Sequence, residues 1–238
     1  LVRRLLENGA NSSFVHQLVN PEIAPETIAQ DPINVVLERL EQGLSCRSHA
    51  IVRPQDLFAQ NLASHRKNAK GWDITDAPTI ALMQSAREHL NPSYWQAQPL
   101  VARFEGTLEA PHWVINPAVG GERVGQVHMS SKEQVEAALQ VAPLGQAEWL
   151  AMPLAERVAC FEKAADLYED NATELFAILA KEAGKTWLDA VGELREAVDF
   201  ARFYAQEMAS GPQVQGRGVI TCISPWNFPL AIFSGQIF

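Results

Sequence analysis

Apolar residues recur at helical intervals in two stretches of this chain, one at its start and a longer one through its second half. Leu1, Val2, Leu5 and Leu6 fall at i, i+4 spacing over Leu1 to Glu7, and Asn8-Gly9 supplies a stop. Ser12-Ser13 can cap a second short helix through Phe14, Val15 and Leu18 that ends at Asn20-Pro21, and Asp31-Pro32 opens a third over Ile33 to Glu41. From Gly43 to Gln98 the pattern thins. Ile51 to Pro54 reads as a short strand, His65 to Gly71 as a solvated basic loop, and Ile80 to Leu90 as one more helix. Leu100 to Phe104 and Trp113 to Ile115 have strand composition, and turn residues at Asn116-Pro117 and Gly120-Gly121 return the chain into Val124 to Val127, which predicts an antiparallel hairpin.

The second half is strongly periodic. Lys132 to Val141 predicts a helix behind Ser130-Ser131, with Val135 and Leu139 on a core face. Leu154, Val158, Phe161, Ala165 and Tyr168 mark a second, and Leu175, Ile178 and Leu179 a third that stops at Gly184. Trp187, Val191, Leu194, Val198, Ala201, Ala205 and Met208 mark a fourth, closed by Gly211-Pro212. Gly218 to Ile223 is a continuous, β-branched apolar run, the pattern of a strand buried on both faces of a parallel sheet. Ser224-Pro225-Trp226-Asn227-Phe228-Pro229 follows it directly, and Leu230 onward reads as helix. The fold class is α/β, and a strand, tight loop and helix start in succession is where such sheets place ligands.

Composition narrows the functions. The 238 residues carry 28 acidic and 19 basic side chains, a formal charge of −9, which gives no electrostatic footprint for nucleic acid. No apolar run reaches the length of a membrane span, and Arg3-Arg4 lacks the apolar stretch of a signal peptide. Three scattered cysteines, Cys46, Cys160 and Cys222, suit free thiols in a reducing compartment, and the dispersed histidines form no local metal motif. Leu1 is not an initiator Met and Phe238 stops within an apolar element, so the pattern reads as a piece of a longer protein.

The strand-end loop holds the most specific chemistry. Pro225 and Pro229 fix the backbone on either side of Trp226-Asn227-Phe228. A side-chain amide held there is a neutral donor that can face a developing oxyanion without a proton equilibrium of its own. The competing reading is that Asn227 caps the following helix. Cys222, inside the expected buried strand, reads as a small hydrophobe, as do Cys160 on its helix and Cys46 in its loop.

Ile223 to Pro229 resembles the strand-end motif of the NAD(P)-dependent aldehyde dehydrogenase superfamily. Pro153 with Glu156-Arg157, Ala165-Asp166-Leu167, Glu174-Leu175, Glu182 to Lys185 and Asp189-Ala190 follow the same order as in such enzymes. The resemblance covers roughly Glu105 to Phe238. It implies that Asn227 donates to the thiohemiacetal oxyanion, that Ile223, Ser224, Pro225 and Trp226 line the dinucleotide site, and that Phe228 faces the aldehyde channel. It also implies that the nucleophilic Cys, the general-base Glu and a ribose-contacting Lys lie downstream of this loop.

The start of the chain, Arg3-Arg4 through Val15, is similar to the last barrel helix of the proline dehydrogenase domain in the proline utilization A family. There the paired arginines hold the proline carboxylate over FAD, a role that suits two adjacent forked donors. Glu7 lies one helical turn from Arg3 and can orient it, touch the flavin side of the site, or form no more than a surface ion pair. Both motifs in this order imply the end of a (βα)8 barrel over 1–30, a connector over 31–104, and the first part of an aldehyde dehydrogenase Rossmann-type domain over 105–238. The implied function is bifunctional: L-proline oxidised to Δ1-pyrroline-5-carboxylate with FAD and membrane quinone, then L-glutamate γ-semialdehyde oxidised to L-glutamate with NAD. The implied parent is a cytoplasmic homo-oligomer, peripheral to the inner membrane, whose partners are small molecules and quinone. The alternatives are an aldehyde dehydrogenase for another substrate and a catalytically inert truncated chain.

Overall fold

The computed structural model describes residues 14–45, 51–58, 66–90, 94–102, 106–212 and 216–238. The chain divides into two compact units, Leu1–Val52 and Arg53–Phe238.

In the first unit the described residues form three short helices: α1 (Phe14–Val19), α2 (Pro25–Ile28) and α3 (Pro32–Glu41). The Asp31 carboxylate accepts the Ile33 amide at 2.9 Å, and Pro32 occupies the first turn of α3, where its missing N–H costs nothing. The Asn20-Pro21 stop of α1 and the Asp31-Pro32 start of α3 therefore act as expected, while Ser12-Ser13 lie outside the described residues. No strand of a barrel is among the described residues of this unit, so the barrel assignment rests on sequence alone. Leu1 to Ser13, including Arg3, Arg4 and Glu7, lie outside the described residues, as does Cys46.

The second unit begins with a 3₁₀ turn at Pro54–Asp56 and then α4 (Ala77–Leu90). The helix starts three positions before the apolar pattern does, because the Asp76 carboxylate accepts both the amide and the hydroxyl of Thr79 at 2.9 and 2.6 Å. Ile51 to Pro54 is not a strand. A three-stranded sheet follows: β1 (Trp95–Ala97), β2 (His112–Ile115) and β3 (Arg123–Val127), in the order β1-β3-β2. β2 and β3 form the expected antiparallel hairpin, with His112 opposite Val127 and an irregularity between Val114 and Ile115. β1 lies parallel to β3, with Trp95 opposite Gly125. A side chain at Gly125 would collide with the Trp95 backbone, so glycine there admits the third strand. The strand expected over Leu100 to Phe104 does not form where it is described, and Leu100 is 92% exposed.

Four helices build the body: α5 (Lys132–Ala151), α6 (Leu154–Asp170), α7 (Ala172–Ala183) and α8 (Trp187–Ser210). Ser131 and Gln134 form a reciprocal capping box that starts α5, with 2.9 and 3.2 Å hydrogen bonds, and α5 runs on through Pro143 past its expected end at Val141. Its apolar face is not in the core. Val135 and Leu139 are exposed, while Gln134, drawn in by the cap, is buried. Gly184 ends α7 with a φ of +65°, a left-handed conformation that suits glycine. The Thr186 hydroxyl then accepts the Asp189 amide at 3.2 Å and donates to its carboxylate at 2.7 Å, which starts α8.

α8 is the spine, packing on α6, α7 and the last helix, α9 (Ala231–Ile237). Its stripe of Val191, Leu194, Val198, Ala201 and Ala205 is buried as the periodicity requires, and Phe176 and Leu179 of α7 and Ala165 of α6 complete the core. Alanines at 165, 197, 201 and 205 let the helix backbones approach closely. The Trp72 ring meets Phe176 edge-on at 5.1 Å.

The basic segment around Asn68 is not a solvated loop. Asn68 and Ala69 are buried. The Ala69 amide donates to Asp199 at 2.8 Å and the Lys70 amide to Glu169 at 2.6 Å. Arg202, itself buried, donates to both oxygens of Glu169 at 3.0 Å, to Asp166 at 2.9 Å and to the Asn68 carbonyl at 3.3 Å. Carboxylates on α6 and α8 thus satisfy backbone groups that water would otherwise hold, a pairing distant in sequence and invisible to local pattern.

Burial alone would push the Glu169 carboxyl up, but the Arg202 guanidinium and the Lys70 amide hold it below the usual carboxylate range. A lowered folded-state pKa adds stability above the unfolded value of about 4.3 and loses it as pH falls through the folded value. Arg202→Met is therefore expected to lower Tm at pH 7, and the gap from the parent chain should narrow below about pH 4, as Glu169 protonates in both. Thermal denaturation followed by circular dichroism across pH checks this; a gap independent of pH rules it out.

Candidate functional site

The expected strand over Gly218 to Ile223 does not form, and the segment pairs with no strand among the described residues. Val219, Ile220 and Ile223 are 52%, 71% and 82% exposed. A strand buried on both faces needs neighbouring strands for its amides and helices over its side chains, and the described residues supply neither. Cys222 is correspondingly exposed, not buried, and donates through Sγ to the Gln236 carbonyl at 3.2 Å. Cys160 is also exposed on α6. No group of His, Cys, Asp and Glu that could hold a metal exists among the described residues.

α9 positions the loop that follows this segment. Ser224 Oγ donates to Gln236 Oε1 at 3.0 Å, and Gln236 Nε2 donates to the Ile223 carbonyl at 3.2 Å, tying the segment's end to the last turn of the helix. α9 in turn seats on the body through the Tyr168 and Ser234 hydroxyls, 2.9 Å apart, and through Gly235. A Cβ at Gly235 would lie 2.7 to 3.0 Å from the Phe200 ring, which is itself stacked on Tyr204.

The structure brings Ile223, Ser224, Pro225, Trp226, Asn227 and Phe228 together on one turn. Trp226 is 87% exposed and Ser224 half-buried. Asn227 does not cap α9. Leu230 stands at the cap position without a side-chain bond, and the Leu230 and Ala231 amides instead donate to Glu193 Oε2 at 3.3 and 2.8 Å. The Asn227 peptide carbonyl accepts Lys185 Nζ at 2.6 Å, while its side-chain amide makes no hydrogen bond among the described residues. Lys185 Nζ also lies 2.9 Å from Glu193 Oε1, an ion pair whose angle falls outside hydrogen-bond geometry, and 4.8 Å from the centre of the Phe228 ring.

Lys185, Glu193, Gly235 and Gln236 are absent from the sequence expectation for this site. One signal pointed to Glu193: it sits between Ala190 and Ala197, three and four positions away on one helical face, both fully buried. A carboxylate between two buried alanines needs a partner inside the fold. Lys185 carries no such signal, because it follows a helix stop like any solvated lysine.

Residues 105–238, more than half of the chain, match the aldehyde dehydrogenase family. The chain belongs to that family. Over its whole length it is 39% identical to the bifunctional protein PutA of Escherichia coli (strain K12), of which it covers 18%. Its fold is similar to the crystal structure of proline utilization A from Bdellovibrio bacteriovorus inactivated by N-propargylglycine, with a TM-score of 0.73, 26% identity, and coverage of 99% of this chain and 25% of that one. It is also similar to 1-pyrroline-5-carboxylate dehydrogenase from Thermus with bound NAD, with a TM-score of 0.61, 27% identity, and coverage of 71% and 36%. The resemblances seen in the sequence, to aldehyde dehydrogenases and to proline utilization A, therefore stand. The chain spans about a fifth of the length of the PutA relatives it matches. Among the described residues no helix is long and apolar enough to cross a membrane.

Gly235→Ala should push the Phe200 ring from its stack and unseat α9, at a cost of about 1–3 kcal/mol typical of overpacking. A urea melt reads this directly, and an unchanged midpoint shows that α9 has room to shift.

Proposed function

We propose that this chain carries the oxyanion-binding loop and one wall of the cofactor site of an NAD-dependent dehydrogenase for L-glutamate γ-semialdehyde, within a bifunctional proline-to-glutamate oxidoreductase. The observation that carries the reading is Asn227: its backbone is held by Lys185 and its amide is left unengaged on an exposed turn. When an enzyme thiolate attacks an aldehyde, the carbonyl oxygen gains negative charge, and a donor already fixed at that place stabilises it without reorganisation. Asn227 is that donor, and Phe228 forms a wall for the aldehyde. Cys222 is not the attacking thiol in this reading, since its hydrogen-bond partner is a peptide carbonyl and not a base.

The residues fit one side of a dinucleotide. Ile223 and Trp226 present apolar faces to solvent, and the backbone before them has no strand partner among the described residues. Ile223, Ser224, Pro225 and Trp226 would hold that side, and NAD would supply the hydride acceptor. Similarity to the Thermus enzyme with bound NAD supports this choice. The FAD-linked half of the function rests on the sequence of Arg3, Arg4 and Glu7 and on likeness to PutA across the whole chain. In this reading 1–30 ends the barrel, 31–104 connects and 105–238 begins the dehydrogenase. The protein acts as a cytoplasmic homo-oligomer that passes electrons from proline to quinone at the inner membrane and needs no nucleic acid.

In the protein that carries this sequence, Asn227→Ala is expected to lower kcat for semialdehyde oxidation roughly ten- to a thousand-fold with NAD affinity nearly intact. Undiminished NADH production would remove Asn227 from its role. Arg3→Met and Arg4→Met separate the bifunctional reading from a dehydrogenase for some other aldehyde. A large rise in KM for proline supports the first, and unaltered proline kinetics refute it.

A further inference from the structure

We infer that Lys185 is the positioning residue of this site, with Glu193 as its anchor, and that the pair acts on catalysis only by fixing where the Asn227 side chain points. This rests on the oxyanion role proposed for Asn227. The loop from Ser224 to Leu230 has few means of its own to stay put. Its internal backbone bond, from the Phe228 amide to the Pro225 carbonyl, is long at 3.4 Å, and Pro225 and Pro229 have no amide to give. What fixes it comes from outside the loop. The Lys185 ammonium donates to the Asn227 carbonyl at 2.6 Å, a short charge-assisted bond on the very residue whose side chain has to be aimed. The same ammonium lies over the neighbouring Phe228 ring, so one cation sets two adjacent residues.

A free lysine would not hold a loop this way, because its four-carbon stem has many rotamers. Glu193 removes that freedom. Its side chain is only 3% exposed, and a buried carboxylate must be answered by opposite charge and by donors. It receives the ammonium on Oε1 and the Leu230 and Ala231 amides on Oε2. One carboxylate on the rigid spine α8 therefore grips both ends of the turn: through Lys185 at Asn227, and directly at the start of α9. The buried position of Glu193 between Ala190 and Ala197 transmits the precision of the core to an exposed loop. Neither side chain needs to touch a substrate to matter.

The experiment is a double-mutant cycle on kcat in the protein that carries this sequence, with NAD and the semialdehyde as probes. Lys185→Met is expected to lower kcat on the order of 100-fold, the loss that a small misplacement of a reacting group produces, while KM for NAD stays within about twofold. Lys185→Arg should recover part of the loss. In the Asn227→Ala background, Lys185→Met should lower kcat no further, because it has nothing left to aim. A loss that repeats in full in that background overturns the inference, since the lysine then acts independently of Asn227. Unchanged kcat in Lys185→Met beside a low kcat in Asn227→Ala also overturns it, and leaves the oxyanion reading intact. If Asn227→Ala itself has no effect, that reading fails and this inference fails with it. Should Lys185→Met not fold, Glu193→Gln takes its place: it keeps an acceptor for the Leu230 and Ala231 amides, removes the anchoring charge, and has to show the same dependence on Asn227.

Discussion

A charged side chain taken out of water has to be matched by its surroundings, and α8 carries two such groups at 3% and 6% exposure. Glu193 and Arg202 lie nine positions apart, about two and a half helical turns, so each organises a different region. Arg202 gathers Asp166, Glu169 and the Asn68 carbonyl, which fastens α6 and the segment before α4 to the spine. Glu193 gathers Lys185 and the first amides of α9, which fastens the loop of Asn227. Breaking either cluster would strand a buried charge, so each constrains its region more sharply than apolar contact alone would.

Between these clusters the core is built of small residues. Alanines at 165, 190, 197, 201 and 205 are essentially inaccessible, and they bring α6 and α9 close to α8. Close packing of that kind does not compress, so the position of α8 is passed on to the loop through Lys185 and Glu193 and through α9, which rests on α8. The exposed apolar residues around the loop have a different character. Ile220, Ile223 and Trp226 stand exposed beside the loop, and so do Val135 and Leu139 on α5.

Much of the second unit was legible from periodicity. The stripe on α8 is buried as its spacing demands, the β2–β3 hairpin follows its turn residues, and α7 stops at Gly184. The same signals mislead where burial is not periodic. Val135 and Leu139 have helical spacing yet face solvent, because spacing names a face without naming what covers it. Gly218 to Ile223 has the composition of a doubly buried strand yet stands unpaired among the described residues, because composition cannot supply neighbours. Asn68 and Ala69 look solvated by their company of basic residues, and are buried where carboxylates more than ninety positions away accept the Ala69 and Lys70 amides.

For the site, the Ile223 to Pro229 motif was enough to indicate the family, since its residue order is local. The sequence by itself determined the helices, their caps and that motif. Only the tertiary structure decided that Lys185 and Glu193 hold the loop, that Gln236 and Gly235 seat it, and that the segment at Asn68 belongs to the core. Local elements are set by interactions within a few residues, which a sequence displays. Lys185 is 42 positions from Asn227, and whether its ammonium meets that carbonyl depends on how three elements pack, which no local pattern encodes.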